Sequence, residues 1–340
     1  MWRRPLLAVV NGSGRNLMGQ LKGQWLEVKV TDRAGQESDK ATILCLGPPG
    51  RFGIPKRDEE FEILMGWADE GLVTQGRFRF QKANARGAPE DGERIALDFK
   101  AADFVDDLKK SGRQHYDDGT TFGDLVRREA KAAGLAAVVD PGLDRMTLGY
   151  RLRWDQSAID FLNEVADDVG GTIKPAGGKL VAMKRGGGTT GGGQALEPIL
   201  IRRRRSFGYD VDIEPRPEAG HVAAAWQDER TGRRRLTKVP TGRDGPIVIL
   251  PHPYRSEIEA REAAKSQAYE RSNNSGSGYF ESPGLPRARA EAPVIASGFG
   301  GFIDGRWTAE SVEKVITVRG AFTATVNITA GDEKKGQKGQ

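Results

Sequence analysis

The feature that most constrains the fold is a repeated alternation of apolar and polar residues in short segments. Leu26, Val28 and Val30 line one face of segment 25–31, and segment 322–328 alternates in the same way near the end of the chain. Because successive side chains of an extended chain point to opposite faces, a period of two indicates strands with one buried face. The 45 glycines suit tight turns between such strands. We therefore expect mainly β structure rather than a helical bundle.

Segments with this pattern occur in the first hundred residues and again in the last third of the chain. They are predicted to be strands at 25–31, 41–45, 61–67, 73–80, 95–99, 222–226, 247–250, 294–299, 312–318 and 322–328. The apolar run at 6–10 is shorter than a signal peptide needs, at least about 7 residues, so we interpret it as a first strand. No run of the sequence approaches the roughly 20 apolar residues of a membrane span.

The middle of the chain changes to helical spacing. Thr121 with Asp124, and Ser157 with Asp160, provide capped starts for two helices that end at glycines. A short hairpin is expected after the second helix, with its turn at 177–178. These elements predict a compact α/β unit between the two β-rich parts.

The predicted fold class is α+β, mainly β, with two small barrel-like β domains flanking a compact α/β domain. The first β domain is expected at 1–102, the α/β domain at 103–188 and the second β domain at 189–330. One helix, at about 256–271, interrupts the second β domain and has a mostly alanine apolar face. The polar tail at 331–340 is expected to be disordered.

Side chains that could carry catalysis are sparse. His115, His221 and His252 are far apart in the sequence, and Cys45 is the only cysteine, so no zinc-ligand spacing is present. The glycine-rich segments 47–53 and 186–193 lack the context of a phosphate-binding loop. We predict no catalytic residue, no metal site and no cofactor. A single cysteine, expected to be buried in a strand, is typical of a protein assembled in a reducing cytoplasm.

The excess of positive charge is small, 52 basic against 47 acidic residues, but it is locally concentrated. Two runs of arginine stand out: Arg202, Arg203, Arg204, Arg205, Arg233, Arg234 and Arg235. Solvated charge at strand ends is the simpler interpretation. Electrostatic contact with a phosphate backbone or an acidic partner is the functional alternative.

The order of several short motifs is more informative than any one of them. The series comprises Val30 to Asp39, Ile54-Pro55, Met65-Gly66-Trp67, Gln75 to Phe78, Arg86 to Pro89, Ala101 to Phe104, Thr120 to Leu125, the 156–171 helix with Phe161-Leu162, Gly298-Phe299, Ile303-Asp304 and Trp307. In this order the chain resembles the phage late control protein D family, the baseplate hub proteins of contractile tails. It is also similar to the hub half of type VI secretion VgrG spikes. The resemblance runs from about residue 24 to 330.

The resemblance implies a structural role rather than an enzymatic one. Hubs of this family are homotrimers in which two related β domains per subunit form a ring around a channel. Such a ring adapts the sixfold tail tube to the threefold central spike and lets DNA pass. The implied partners are the spike protein, the tail tube protein and other baseplate proteins. The implied location is the virion tail baseplate of a phage or related contractile injection system, after assembly in the bacterial cytoplasm.

This sequence differs from the family pattern in two places. Segment 231–246 is short where the family often carries a lysine-rich insert, and no needle-like repeat follows the last strand, so we expect the spike to be a separate protein. Two other functions remain open. A tail-associated cell-wall hydrolase would need an acid/base pair, and a basic nucleic-acid-binding regulator would depend on the two arginine runs.

Overall fold

The computed structural model describes residues 3–35, 38–47, 53–90, 92–101, 106–176, 179–185, 187–190, 192–213, 219–228, 230–241, 245–273, 276–301 and 303–330. Strands dominate, and four α-helices occur in these residues. The prediction of a mainly β, α+β protein is confirmed. The strands of the two barrel-like parts join one shared sheet, and in the described residues they do not close into separate barrels.

The first part of the chain forms an antiparallel β unit. Its strands are β1 (Pro5–Asn11), β2 (Trp25–Arg33), β3 (Lys40–Leu46), β4 (Glu60–Trp67), β5 (Gly71–Ala88) and β6 (Gly92–Ala101). They lie in the order β1-β4-β5-β6-β3-β2. Alternate residues such as Val28, Ile43 and Phe99 point into one buried cluster, as the period of two predicts. Cys45 is fully buried there.

The middle of the chain forms an α/β unit around its own core. Its elements are β7 (Ser111–Tyr116), α1 (Phe122–Ala132), β8 (Ala136–Val139), α2 (Pro141–Asp144), β9 (Arg151–Ser157), α3 (Ala158–Asp168), β10 (Gly171–Ala176) and β11 (Lys179–Lys184). The two predicted capped helices are present as α1 and α3. The hydroxyls of Thr121 and Ser157 accept from the N–H groups of Asp124 and Asp160 at 3.1 Å.

The last part of the chain contains two hydrophobic clusters rather than one. Its elements are β12 (Ile199–Arg202), β13 (Tyr209–Ile213), β14 (His221–Asp228), β15 (Arg233–Pro240), β16 (Ile247–Ile249), α4 (Glu257–Asn273), β17 (Gly276–Pro283), β18 (Pro293–Ser297), β19 (Gly305–Thr317) and β20 (Phe322–Ala330). Strands β12, β13 and β17–β20 form the second β unit. Strands β14–β16 form a separate small sheet, which α4 covers with its alanine face.

The two β units share one continuous sheet. β19 pairs with β20 on one side and with β2 on the other, so the first unit continues directly into the second. β19 also contributes to both cores, because Val312 packs in the second cluster and Ile316 in the first. β20 does the same through Val326 and Phe322. Two cores connected through shared strands leave little freedom for the units to rotate.

The predicted strands at the two ends of the chain are present, and β19 is longer than expected. The pattern did not predict β7, β8, β9, β12, β13, β15 or β17. The predicted turn at 177–178, parts of the glycine segments 47–53 and 186–193, and the tail at 331–340 lie outside the described residues. The division of the chain at 102 and 188 remains a prediction.

Candidate assembly surfaces

Where the two β units meet, aromatic packing is combined with a hydrogen bond. The indole Nε1 of Trp67 donates to the carbonyl of Gly284 at 2.9 Å. The rings of Trp67 and Phe322 lie 5.0 Å apart between centroids. A Cβ added at Gly284 would come within 2.2 Å of the Phe322 ring, so only glycine fits at this position without a shift of the ring.

A buried lysine lies at the same boundary. Lys314 on β19 is 1% exposed, and its ammonium donates to Gln75 Oε1 at 2.6 Å and to the carbonyl of Pro286 at 3.2 Å. Gln75 in turn donates to the same carbonyl at 3.1 Å. Burial lowers the pKa of Lys314 to about 7, with nearby Arg289 acting in the same direction against the opposing effect of Asp32 and Asp39.

A second lysine connects the α/β unit to the first β unit. Lys174 on β10 lies 2.5 Å from Asp39 Oδ1, 3.5 Å from Asp32 Oδ1 and 2.9 Å from the carbonyl of Arg33. Burial lowers its pKa, but Asp39 and Asp32 together outweigh burial and leave the pKa raised. Burial, with the charge of Asp32, raises the pKa of Asp39. Asp32 also accepts from the backbone N–H of Ala290 at 3.2 Å.

We call Asp32, Asp39, Gln75, Lys174 and Lys314 the polar junction, because their hydrogen bonds connect all three units. Removing one partner from a buried charged pair costs about 3–5 kcal/mol, so the junction favours one relative arrangement of the units. The junction was not predicted from the sequence. One signal was present: within β19 the alternation places Lys314 on the same inward face as Val312 and Ile316.

The two ends of the long sheet differ in how their edges are protected. The backbone carbonyl of Arg4 accepts from the N–H of Ala68, so the even-numbered residues of β1 direct their backbone groups toward β4. The backbone groups of the odd-numbered residues therefore point away from β4. Pro5 has no N–H, the N–H of Val9 donates to Asn16 Oδ1 at 3.3 Å, and that of Asn11 donates to the Arg15 carbonyl. Proline and side-chain cover are common ways to prevent edge pairing.

The opposite end, β13, is more open. It pairs with β17, and no other described strand lies along its second edge. The N–H of Glu281 donates to the Gly208 carbonyl, so the alternation directs the backbone groups of Tyr209, Val211 and Ile213 outward. These residues also keep part of their apolar side chains exposed. An edge of this kind can accept a strand from another chain.

The structure places the first arginine run at the end of β12, on the surface. Arg202, Arg203, Arg204 and Arg205 are all exposed, and none forms an ion pair with a described residue. Arg202, Arg203 and Arg205 line an open cavity of about 530 Å³ together with Ser297 and Gly298. The Arg203 guanidinium lies 5.8 Å from the ring centroid of Tyr209.

The second run lies on a different sheet. Arg233, Arg234 and Arg235 begin β15, which pairs with β14 next to α4. Arg235 Nε is 2.9 Å from Asp228 Oδ2, and its guanidinium lies 5.9 Å from the Trp226 ring. The two arginine runs therefore lie on different sheets and do not form one patch. They also differ in charge pairing, because Arg235 has an acidic partner.

The residues considered for chemistry are dispersed. His115 lies on the exposed face of β7, and His221 and His252 are exposed at separate sites. Burial raises the pKa of the Cys45 thiol to about 11, which keeps it protonated. In the described ranges no three His, Cys, Asp or Glu side chains are grouped as metal ligands. Nor does any helix of those ranges have the length and apolarity to cross a membrane.

The fold is similar to that of solved phage tail proteins. A tail protein from Neisseria meningitidis superimposes with a TM-score of 0.68 at 13% identity, covering 96% of both chains. An Escherichia coli component of the type VI secretion system, described as structurally similar to T4 tail proteins, gives 0.55 at 7% identity over 93% of this chain and 76% of its own. No family model matches the sequence.

Two curated protein sequences similar to this chain are both baseplate hub proteins. The probable baseplate hub protein of Escherichia phage P2 is 26% identical over 92% of this chain and 90% of its own length. That of Escherichia phage 186 is 24% identical over 75% of this chain and 65% of its own length. The resemblance to baseplate hub proteins that the ordered motifs indicated is confirmed.

Proposed function

We propose that this chain is the structural subunit of a phage-type baseplate hub. Three copies form a ring that adapts the sixfold tail tube to the threefold central spike, with a channel through which DNA passes. The observation that carries the proposal is the β2–β19 pairing, which joins two β units in one sheet. The similarity to the P2 and 186 hub proteins supports the same role.

Each copy carries two β units, and this number relates the threefold ring to a sixfold tube. Three copies supply six units, so one face of the ring can match a sixfold tube while the assembly itself keeps threefold symmetry. This works only if the two units of one subunit hold a fixed orientation. The strands shared by the two cores and the polar junction provide that constraint.

A closed ring of identical subunits needs two different surfaces that complement each other. We place the subunit interface on strands of the two β units, with the open edge of β13 on one side of it. The α/β unit at 103–188 lies outside the ring in this arrangement. The N–H of Gly149 in this unit donates to Glu259 Oε1 of α4 at 2.9 Å. This contact fixes the α/β unit against α4 on the outside of the ring.

The role is mechanical and needs no turnover. The chain is a virion tail component, assembled in the bacterial cytoplasm and in contact with the tube, the spike and other baseplate proteins. Arg233, Arg234 and Arg235 face outward from β15 and provide electrostatic contact with an acidic partner or with passing DNA. A peptidoglycan zymogram of the purified chain should stay blank, and a cleared band would contradict the structural role.

The test of the proposal is reconstitution with the tube and spike proteins of the same particle, followed by electron cryomicroscopy. The expected density shows three copies between tube and spike, with six β units around a channel. A hub layer with a different number of copies, or this chain located away from the tube–spike axis, would overturn the proposal.

A further inference from the structure

The edge of β12 is a second open edge, separate from that of β13. β12 pairs in parallel with β18, and no described strand lies along its other side. The N–H of Arg203 donates to the carbonyl of Ser297 at 3.0 Å. Because backbone groups alternate along a strand, the N–H and C=O groups of Leu200 and Arg202 point away from β18, toward the open side.

The same two residues also present their side chains to solvent. Leu200 is 60% exposed, and Ile295, its register partner on β18, is 42% exposed. Arg202 lies two register pairs further along, opposite Ser297. The surface beside the open edge therefore begins with two apolar side chains and continues into the arginine run.

The described residues do not neutralise the charge of this surface. Arg202, Arg203, Arg204 and Arg205 form no ion pair with any described residue, whereas Arg235 of the other run pairs with Asp228. Arg202, Arg203 and Arg205 also converge on the cavity that Ser297 and Gly298 complete. Clustered guanidinium groups of this kind bind carboxylates or phosphates.

The geometry points to a docking site for an extended acidic peptide segment of a partner protein, which adds as a strand to the open edge of β12. Its backbone pairs with Leu200 and Arg202, an apolar side chain packs against Leu200 on the side away from Ile295, and its carboxylates reach the arginines. A nucleic acid would use the arginines but neither the backbone groups nor the apolar pair. The site does not depend on the trimeric ring.

The test uses the full chain and a fluorescein-labelled eight-residue peptide of alternating glutamate and valine, followed by anisotropy at low and moderate salt. The variant R202S/R203S/R205S removes three charges from the site. The variant K131S/R145S/K179S removes three exposed charges from the α/β unit and is the matched control. We expect about tenfold weaker peptide binding for the first variant and less than about twofold for the control, from several exposed ion pairs. Equal losses in both variants, or no loss in either, would overturn the site.

A second pair of variants tests strand addition separately from charge. Leu200→Pro removes an N–H that points to the open side and leaves the β12–β18 hydrogen bonds in place. Leu200→Thr keeps that N–H. We expect Leu200→Pro to bind the peptide about tenfold more weakly than Leu200→Thr, with equal melting temperatures for both.

A 20-base-pair duplex DNA probe distinguishes the nucleic-acid alternative. The peptide site predicts that duplex binding is insensitive to Leu200→Pro and weaker than peptide binding at moderate salt. Tighter binding of the duplex, together with peptide binding that Leu200→Pro leaves unchanged, would overturn strand addition in favour of a phosphate site. The oligomeric mass of each variant, measured in parallel, keeps this outcome separate from failure of the ring.

Discussion

The buried ammonium of Lys314 gives the polar junction a measurable pH dependence. Its pKa is about 7 in the folded chain against an ordinary 10.5. Between these values the unfolded chain binds a proton that the folded chain does not, so the free energy of unfolding rises with pH over this window. The slope approaches about 1.4 kcal/mol per pH unit. From pH 7.5 to pH 9 the single lysine contributes a gain of about 2 kcal/mol.

The substitution Lys314→Met removes this titration and keeps a long apolar side chain. It leaves Gln75 Oε1 without the donor that now lies at 2.6 Å, which costs about 1–3 kcal/mol. The absolute stability of the variant therefore matters less than its change with pH. Other titrating groups are common to both proteins, so their effects cancel in the comparison.

The assay is urea unfolding followed by tryptophan fluorescence at pH 7.5 and pH 9, for the wild type and Lys314→Met. The wild type should gain about 2 kcal/mol more between the two pH values than the variant does. The same pH increment in both proteins would refute the assignment of a depressed lysine pKa at the junction.

Three further substitutions test the boundary between the β units, the polar junction and the edge of β13. Gly284→Ala places a Cβ 2.2 Å from the Phe322 ring and should lower the free energy of unfolding by about 1–3 kcal/mol in a thermal melt; an unchanged melt would mean that the ring moves freely. Lys174→Met leaves Asp39 buried without its cation and should lower the free energy of unfolding by about 3–5 kcal/mol in urea at neutral pH. A decrease below about 1 kcal/mol would argue against a tight polar junction. Val211→Pro blocks an outward N–H of β13. It should leave the monomer folded by circular dichroism but weaken self-association in sedimentation velocity, and unchanged association would place the interface elsewhere.

The sequence predicts the strands that bury one face, because their alternation carries the information directly. Segments 25–31 and 322–328 have regular apolar faces and are part of β2 and β20. The capped helices α1 and α3 are equally predictable, since Thr121 and Ser157 satisfy backbone N–H groups at their starts. In these elements local sequence and tertiary burial favour the same structure.

Short or solvent-exposed strands are not predictable in this way. β13 has no fully buried residue, and β9 exposes Leu152 and Trp154 while its other face holds arginines. Neither strand presents a clean apolar face. They form because a neighbouring strand offers backbone partners, which depends on residues far away in the chain.

The assembly surfaces depend on pairings between distant segments, which no local pattern encodes. β2 and β19 lie at opposite ends of the sequence, and Lys314 becomes a junction residue only when Gln75 and Pro286 reach it. The arginine runs were visible in the sequence. Their assignment to different sheets, one run without an ion pair to any described residue and one partly paired, needed the tertiary structure.

Native mass spectrometry of the purified chain gives a direct test of the proposed ring of three copies. A dominant species of three times the 37.0 kDa chain mass is expected, either alone or within a complex with the tube and spike proteins. A chain that stays at 37.0 kDa at high concentration with both partners present would contradict it.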